Sequence, residues 1–273
     1  MHGTPSGTWQ SALLTLMAAA IPAVQAAPAA THGNDGQSLR ITGAIDGKSA
    51  DTMIAFIDGG GRSIVIDSEG GDAEAGLRIA DRLQQSEVEV VVNQYCFSSC
   101  ANYVFVPARS KRLNEGAVLG FHGGLVDTRM IDTRGMAPAT RALFEMMARN
   151  YKKQAALFER IGVDQALLGG AGKLASRLAS TPAYALTCGD VDSSYTSEKA
   201  WKRALAACGK RKRNYSFSTL NGLETTVYFP SRQTLERHGV RGIGAYPYPA
   251  GPAAMREVAT GLGFRIDLVG DVE

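Results

Sequence analysis

Charge is missing from the start of the chain: no Lys, Arg, Asp or Glu stands between Met1 and Ala26. The apolar run inside this stretch, A-L-L-T-L-M-A-A-A-I-P-A-V-Q-A, is shorter than the roughly 20 residues of a membrane-spanning helix, which excludes a stable span. Because it ends in the small-residue pattern V-Q-A, we read residues 1–26 as a signal peptide cleaved after Ala26, and the mature protein as periplasmic or secreted. Cleavage leaves the formal charge at +3. So slight an excess lacks the basic face of a nucleic-acid binder, and no nucleic-acid partner is expected. The one cluster, Lys210, Arg211, Lys212 and Arg213, reads as a solvated loop. Low-complexity tracts are absent too, and 45% hydrophobic with 20% charged residues is the make-up of a chain that folds.

Cysteine is scarce, with four in 273 residues, in two natural groups: Cys96 with Cys100, and Cys188 with Cys208. Structural zinc usually takes two short C-x₂₋₄-C pairs, and the second group is too widely spaced for one. Two disulfides are therefore expected, as suits an exported protein. A phosphate loop is also missing. G-G-A-G-K-L at 169–174 has Leu167 where the first Gly of G-x-x-x-x-G-K belongs, and Leu174 where Ser or Thr would meet magnesium. Neither a metal nor a nucleotide cofactor is expected.

What is present is an alternation of strands and helices. L-R-I-T-G-A-I reads as a strand, S-A-D-T-M-I-A-F-I as a helix with Ser49 as N-cap, and G-G-G at 59–61 as its end. S-I-V-I-D is a buried strand, E-G-G-D a turn, A-E-A-G-L-R-I-A-D-R-L an amphipathic helix, and Val88 to Val92 another strand. This order implies right-handed crossovers and a mostly parallel sheet, so the fold class is α/β. Ala101 to Val106 is expected as helix, Val118 to Phe121 as strand, and residues 137–161 as a long helix with Leu143, Phe144, Met147, Tyr151, Leu157 and Phe158 packed inward. Beyond Cys208, N-Y-S-F-S-T-L and T-T-V-Y-F are strand-like, Ser231 and Gly239 bracket a short helix, and Y-P-Y-P is a rigid turn. The expected organisation is a leader over 27–38, a main domain over 39–208 and a small α+β appendage over 209–273.

Three segments fall on the C-terminal ends of successive strands, where sites form in open parallel sheets: D-S-E-G-G-D at 67–72, C-F-S-S-C at 96–100 and G-F-H-G-G at 120–124. Together they offer glycine-turn amides, a hydroxyl nucleophile and an imidazole, the parts of an acyl-transfer site.

The series G-A-I (43–45), I-D-S-E-G-G (66–71), A-G-L-R-I-A-D (75–81), S-S-C-A-N-Y-V-F-V-P-A (98–108) and G-F-H (120–122) resembles the Clp peptidase and crotonase superfamily, and within it exported Clp-like proteins with C-x-S-x-C motifs. The resemblance covers residues 40 to about 125 and implies stacked ββα repeats, a serine hydrolase acting on peptide or protein, and a homo-oligomer. It places the nucleophile on Ser99, 28 residues after Gly71 and 23 before His122; matching the two cysteines selects Ser98 instead. His122 is the implied base. The amides of Gly70, Gly71 and Cys100 are the implied oxyanion hole. Glu69 stands where the family has Pro. For the acid that orients the histidine the candidates are Asp164, Asp190 and Asp192, with Asp192 placed by T-C-G-D-V. In this reading the Cys96–Cys100 disulfide locks the nucleophile turn. The alternatives are a catalytically silent frame that binds a peptide or partner and, without export, an acyl-coenzyme A enzyme.

Overall fold

The computed structural model describes residues 31–32, 36–129, 131–168, 184–188, 191–195, 197–210, 215–219, 226–263 and 266–271. The expected signal peptide, the G-G-A-G-K-L segment and Arg211 to Arg213 lie outside the described residues. The N-terminal half alternates as β1 (Thr31–His32), β2 (Ser38–Thr42), α1 (Gly47–Asp58), β3 (Ser63–Ser68), α2 (Ala73–Leu83) and β4 (Glu89–Phe97). A π-helical turn over Ala101–Phe105, β5 (Ser110–Leu113), β6 (Val118–Gly120) and the long α3 (Pro138–Arg160) follow. The C-terminal half holds β7 (Tyr184–Cys188), β8 (Val191–Tyr195), α4 (Glu198–Lys210), β9 (Tyr215–Thr219), β10 (Thr226–Tyr228), α5 (Arg232–Arg237), α6 (Pro252–Gly261) and β11 (Asp267–Val269).

Helix starts follow local chemistry. The Asp46 side chain accepts from the Ser49 N–H at 2.7 Å while the Ser49 hydroxyl accepts from the Asp46 N–H at 2.8 Å, a reciprocal capping box. The cap of α1 is thus Asp46, and Ser49 is its partner rather than the cap itself. Asp72 caps α2 through the Ala75 N–H, and Ser231 caps α5 as expected.

The α/β class holds. The main sheet has the order β1-β2-β3-β4-β5, with β6 also paired to β4, and all its pairings are parallel except β1 with β2. Strand β4 is the hub: its first half pairs with β5 and its last three residues with β6. The apolar run V-E-V-V-V is buried because both neighbours and both covering layers exclude water. On α3, Phe144, Leu157 and Phe158 are buried as expected, whereas Leu143 is 37% exposed and the polar Asn150 and Gln154 occupy buried positions.

The expected boundary at 208/209 runs through a sheet, because β9 pairs with β7 beside β8. Described residues of the expected appendage also pack against the main sheet. Val227, Phe229, Leu235, Val240, Ile243 and Met255 belong to the same hydrophobic core as the main sheet. Gly242 and Ala245 accept from the Lys111 and Leu113 amides, so the segment extends the sheet edge at β5. Both cysteine groups are closed as disulfides, Cys96–Cys100 and Cys188–Cys208. No helix among the described residues is long and apolar enough to cross a membrane.

Among the described residues one cation is fully buried. Lys111 is 2% exposed, donates from Nζ to the Val106 carbonyl at 2.6 Å and sits 5.7 Å from the centre of the Phe105 ring. Burial without a counter-ion pushes its ammonium down to about 7, whereas an unfolded lysine titrates near ~10.4. Between these values the unfolded chain holds more protons than the folded one, so stability rises with pH through that window. Lys111→Met is expected to flatten the rise, measured by urea unfolding at several pH values between about 7 and 10; an unchanged slope would show that Lys111 is not its source.

Candidate functional site

The site begins with an irregularity in the sheet. β3 and β4 stay in register from Ser63↔Glu89 to Ile66↔Val92, then resume at Ser68↔Cys96, leaving extra residues on β4. The buried Asp67 carboxylate organises this bulge: it accepts from the Gln94 N–H at 2.6 Å and Asn93 Nδ2 at 2.9 Å, with the Arg40 guanidinium 3.3 Å away. A bulge re-aims the strand beyond it. β4 then pairs Phe97 with Gly120, and the Ser98 N–H donates to the Gly120 carbonyl at 2.9 Å. The C-terminal ends of β3, β4 and β6 therefore present Ser68 to Gly71, Ser98 with Ser99, and Phe121 with His122 on adjoining strands.

Between the disulfide-linked Cys96 and Cys100, both fully buried, the chain turns sharply. Ser98 sits in the left-handed region at φ 51°, alone among the described non-glycine residues. That conformation costs a non-glycine residue about 1–2 kcal/mol, and such strain gathers at sites. The two serines differ sharply in surroundings. Ser99 is 6% exposed and its hydroxyl donates to the Gly71 carbonyl at 2.8 Å, while Ser98 is half-exposed. The hydroxyl that sequence matching favoured is thus engaged by the glycine turn, and Ser98 is the accessible one. Beyond them the Asn102 N–H donates to the Ser98 carbonyl at 2.9 Å and the Val106 N–H to the Ala101 carbonyl at 3.0 Å, the i→i+5 bond of a π-turn. The expected helix over 101–106 is this single turn.

Gly70 is fitted to the serine turn. At its φ of 95° a Cβ would stand 2.6 Å from the Phe97 carbonyl, 2.8 Å from the Ser99 nitrogen and 2.9 Å from Ser98 Cβ. Its own N–H donates to Ser68 Oγ at 3.1 Å, which removes Gly70 from the expected oxyanion donors. Gly71 lies against Ile45, whose N–H meets the Gly70 carbonyl and whose carbonyl meets the Asp72 N–H, both at 2.7 Å. The N–H groups of Gly71, Ser99 and Cys100 donate to no acceptor among the described residues.

His122 is half-buried, with its ring centre 6.5 Å from that of Phe97. Burial alone, with no charged neighbour contributing, holds its imidazole below the ordinary value. Among the described residues no hydrogen bond joins it to either serine. Its Nε2 and the Oδ1 of Asn102 are enclosed without a partner, each at a cost of about 1–3 kcal/mol. Asn102 Nδ2 donates to the Gly123 carbonyl at 2.8 Å, and Gln154 Oε1 accepts from the Leu125 N–H at 3.0 Å and the Tyr103 hydroxyl at 2.6 Å. These two amides hold the loop that follows the histidine.

Of the expected acids, the one whose side chain is described, Asp164, does not meet His122. Asp164 accepts from the Ala166 N–H at 2.8 Å and lies 3.6 Å from His238, so its partner is a different histidine. Asp190 and the side chain of Asp192 lie outside the described residues; the Asp192 backbone stands opposite Thr187 in the β7–β8 pair. Asn102 and Gln154 were missed by the sequence reading. Their signal was a lone amide in an apolar stretch: Asn102 in A-N-Y-V-F-V, and Gln154 on the inward stripe of α3.

The fit of Gly70 is directly checkable. Gly70→Ala forces a Cβ into backbone and is expected to cost about 1–3 kcal/mol, as strained backbone positions do, read from the urea midpoint. An unchanged midpoint would show that the turn tolerates a side chain there. No family model matches this chain, and no curated protein matches it significantly.

Proposed function

We propose that the protein is an exported serine hydrolase of the Clp-like, crotonase-fold kind, a peptidase in which Ser98 is the nucleophile, His122 the base, and the Gly71 and Ser99 amides the oxyanion donors. The observation that carries this reading is Ser98 itself: a half-exposed hydroxyl on a left-handed, disulfide-closed turn at a strand end, beside a glycine turn and one strand from a histidine. The ordered series of segments from G-A-I to G-F-H supports the family resemblance, and the two disulfides support export. Peptide or protein as substrate, and assembly as a homo-oligomer, rest on the resemblance.

The chemistry is that of an acyl-enzyme. As the Ser98 oxygen bonds to the substrate carbonyl carbon, its proton passes to neutral His122 and the carbonyl electron pair moves onto oxygen, where the two amides meet it. Collapse of this adduct breaks the bond to the leaving amine, which takes the proton from His122. Water repeats the sequence and frees the acid. Each oxyanion donor contributes about 3–4 kcal/mol in comparable sites. The absence of a serine–histidine hydrogen bond favours the second reading, a silent frame that binds a peptide.

Labelling of the oxidised protein with a fluorophosphonate, followed by peptide mapping, separates the two. Stoichiometric modification of Ser98, abolished in Ser98→Ala and His122→Ala but retained in Ser99→Ala, is expected. A folded protein that takes no label supports the binding frame, and label on Ser99 moves the nucleophile back. Capture needs the neutral imidazole, so its rate is expected to fall with acid only below about 6.5, the unperturbed histidine value, because burial lowers that of His122. A midpoint above this value would contradict the buried-base assignment.

A further inference from the structure

Two enclosed side-chain polar atoms lack a partner among the described residues, Asn102 Oδ1 and His122 Nε2. They are chemically complementary: an amide oxygen only accepts, and an imidazole nitrogen donates when it carries the proton. They stand on neighbouring parts of the chain, since the Asn102 side-chain Nδ2 donates at 2.8 Å to the carbonyl of Gly123, the residue after His122. That bond also fixes the orientation of the amide, because only the NH₂ end can face a carbonyl. On its other side the Asn102 N–H meets the Ser98 carbonyl at 2.9 Å, so one buried residue is bonded to the proposed nucleophile and to the residue after the proposed base. No carboxylate meets His122 among the described residues.

We propose that Asn102 is the positioning residue of the site: its Oδ1 accepts the His122 Nε2–H, holds the ring in one tautomer, and leaves the Nδ1 lone pair to receive the Ser98 proton. The Asn102 amide is already held beside the histidine by its bond to the Gly123 carbonyl. An amide here does what a carboxylate does in a charged triad, orienting the ring without placing a negative charge in a buried pocket. The spacing S-x-x-x-N matches the bond from the Asn102 N–H back to the Ser98 carbonyl.

The proposal deepens the serine-hydrolase reading and rests on it, so its test uses readouts that do not need turnover. In Ser98→Ala protein labelled with ¹⁵N-histidine, and with His122 assigned by its loss in His122→Gln, the Nε2–H resonance is expected to be protected from solvent exchange. It should lose that protection in Asn102→Ala. In Asn102→Asp the new carboxylate is expected to raise the His122 titration midpoint by more than one pH unit, while Asn102→Ala leaves no such rise. A proton on Nδ1, an equally protected Nε2–H in Asn102→Ala, or an unmoved midpoint in Asn102→Asp would overturn the assignment. Should either Asn102 variant fail to fold, the tautomer in the Ser98→Ala protein decides alone. In the native-serine background, Asn102→Ala is expected to slow phosphonate capture by roughly tenfold or more. If Ser98 takes no label at all the hydrolase reading fails, and the spectra still decide whether Asn102 holds His122.

Discussion

The steric fit between Gly70 and the disulfide-closed turn from Cys96 to Cys100 is the constraint on which the rest of the site depends. A side chain at Gly70 would strike Phe97, Ser98 and Ser99 at once, so β3 can lie this close to the end of β4 only with glycine there. The disulfide restrains the other side. Closing so short a loop restricts the unfolded chain by about 2 kcal/mol on the chain-entropy account, and both sulfurs sit in the core. Held between the two, Ser98 keeps a backbone conformation that a serine would not choose, and the neighbouring strand brings in His122. The bulge at Asp67 sets the direction in which β4 arrives.

The groups that hold the loop after His122 are neutral. Asn102 and Gln154 fix the loop after the histidine by amide contacts, Tyr103 shares the Gln154 oxygen, and Lys111 caps the π-turn through the Val106 carbonyl. Asp67 is the buried carboxylate nearby, and it answers to Arg40 and to the bulge rather than to His122. Burial lowers the pKa of the His122 imidazole and strengthens any hydrogen bond made beside it. The same surroundings enclose Asn102 Oδ1 and His122 Nε2, which have no partner among the described residues.

The alternation of S-I-V-I-D and V-E-V-V-V with amphipathic helices made the parallel sheet legible, because buried parallel strands read as short apolar runs. The three segments at the strand ends were legible for the same reason. The choice between Ser98 and Ser99 was not, since it turns on a backbone angle and on the bond from Ser99 to the Gly71 carbonyl, neither of which leaves a mark in composition. Strand β5, S-K-R-L, was hidden by two cationic residues, one of which is buried over Phe105. Residues 226–271 looked peripheral because their partners, Phe121 and the β5 edge, are more than a hundred positions away in sequence. Ser49 reads as a cap in the sequence because reciprocal boxes place a good capping residue at both positions.

The claim that matters most is that the disulfide holds Ser98 in its reactive conformation. The most direct measurement is the rate of phosphonate capture by a Cys96→Ala/Cys100→Ala protein against the parent, with folding of each sample checked by circular dichroism. Because misplacement of a reacting group by about 1 Å can cost on the order of a hundredfold, the account predicts a folded variant whose capture is slower by at least about tenfold. Capture at the parental rate would contradict it, and would leave Cys96 and Cys100 as a staple beside a turn that needs no help.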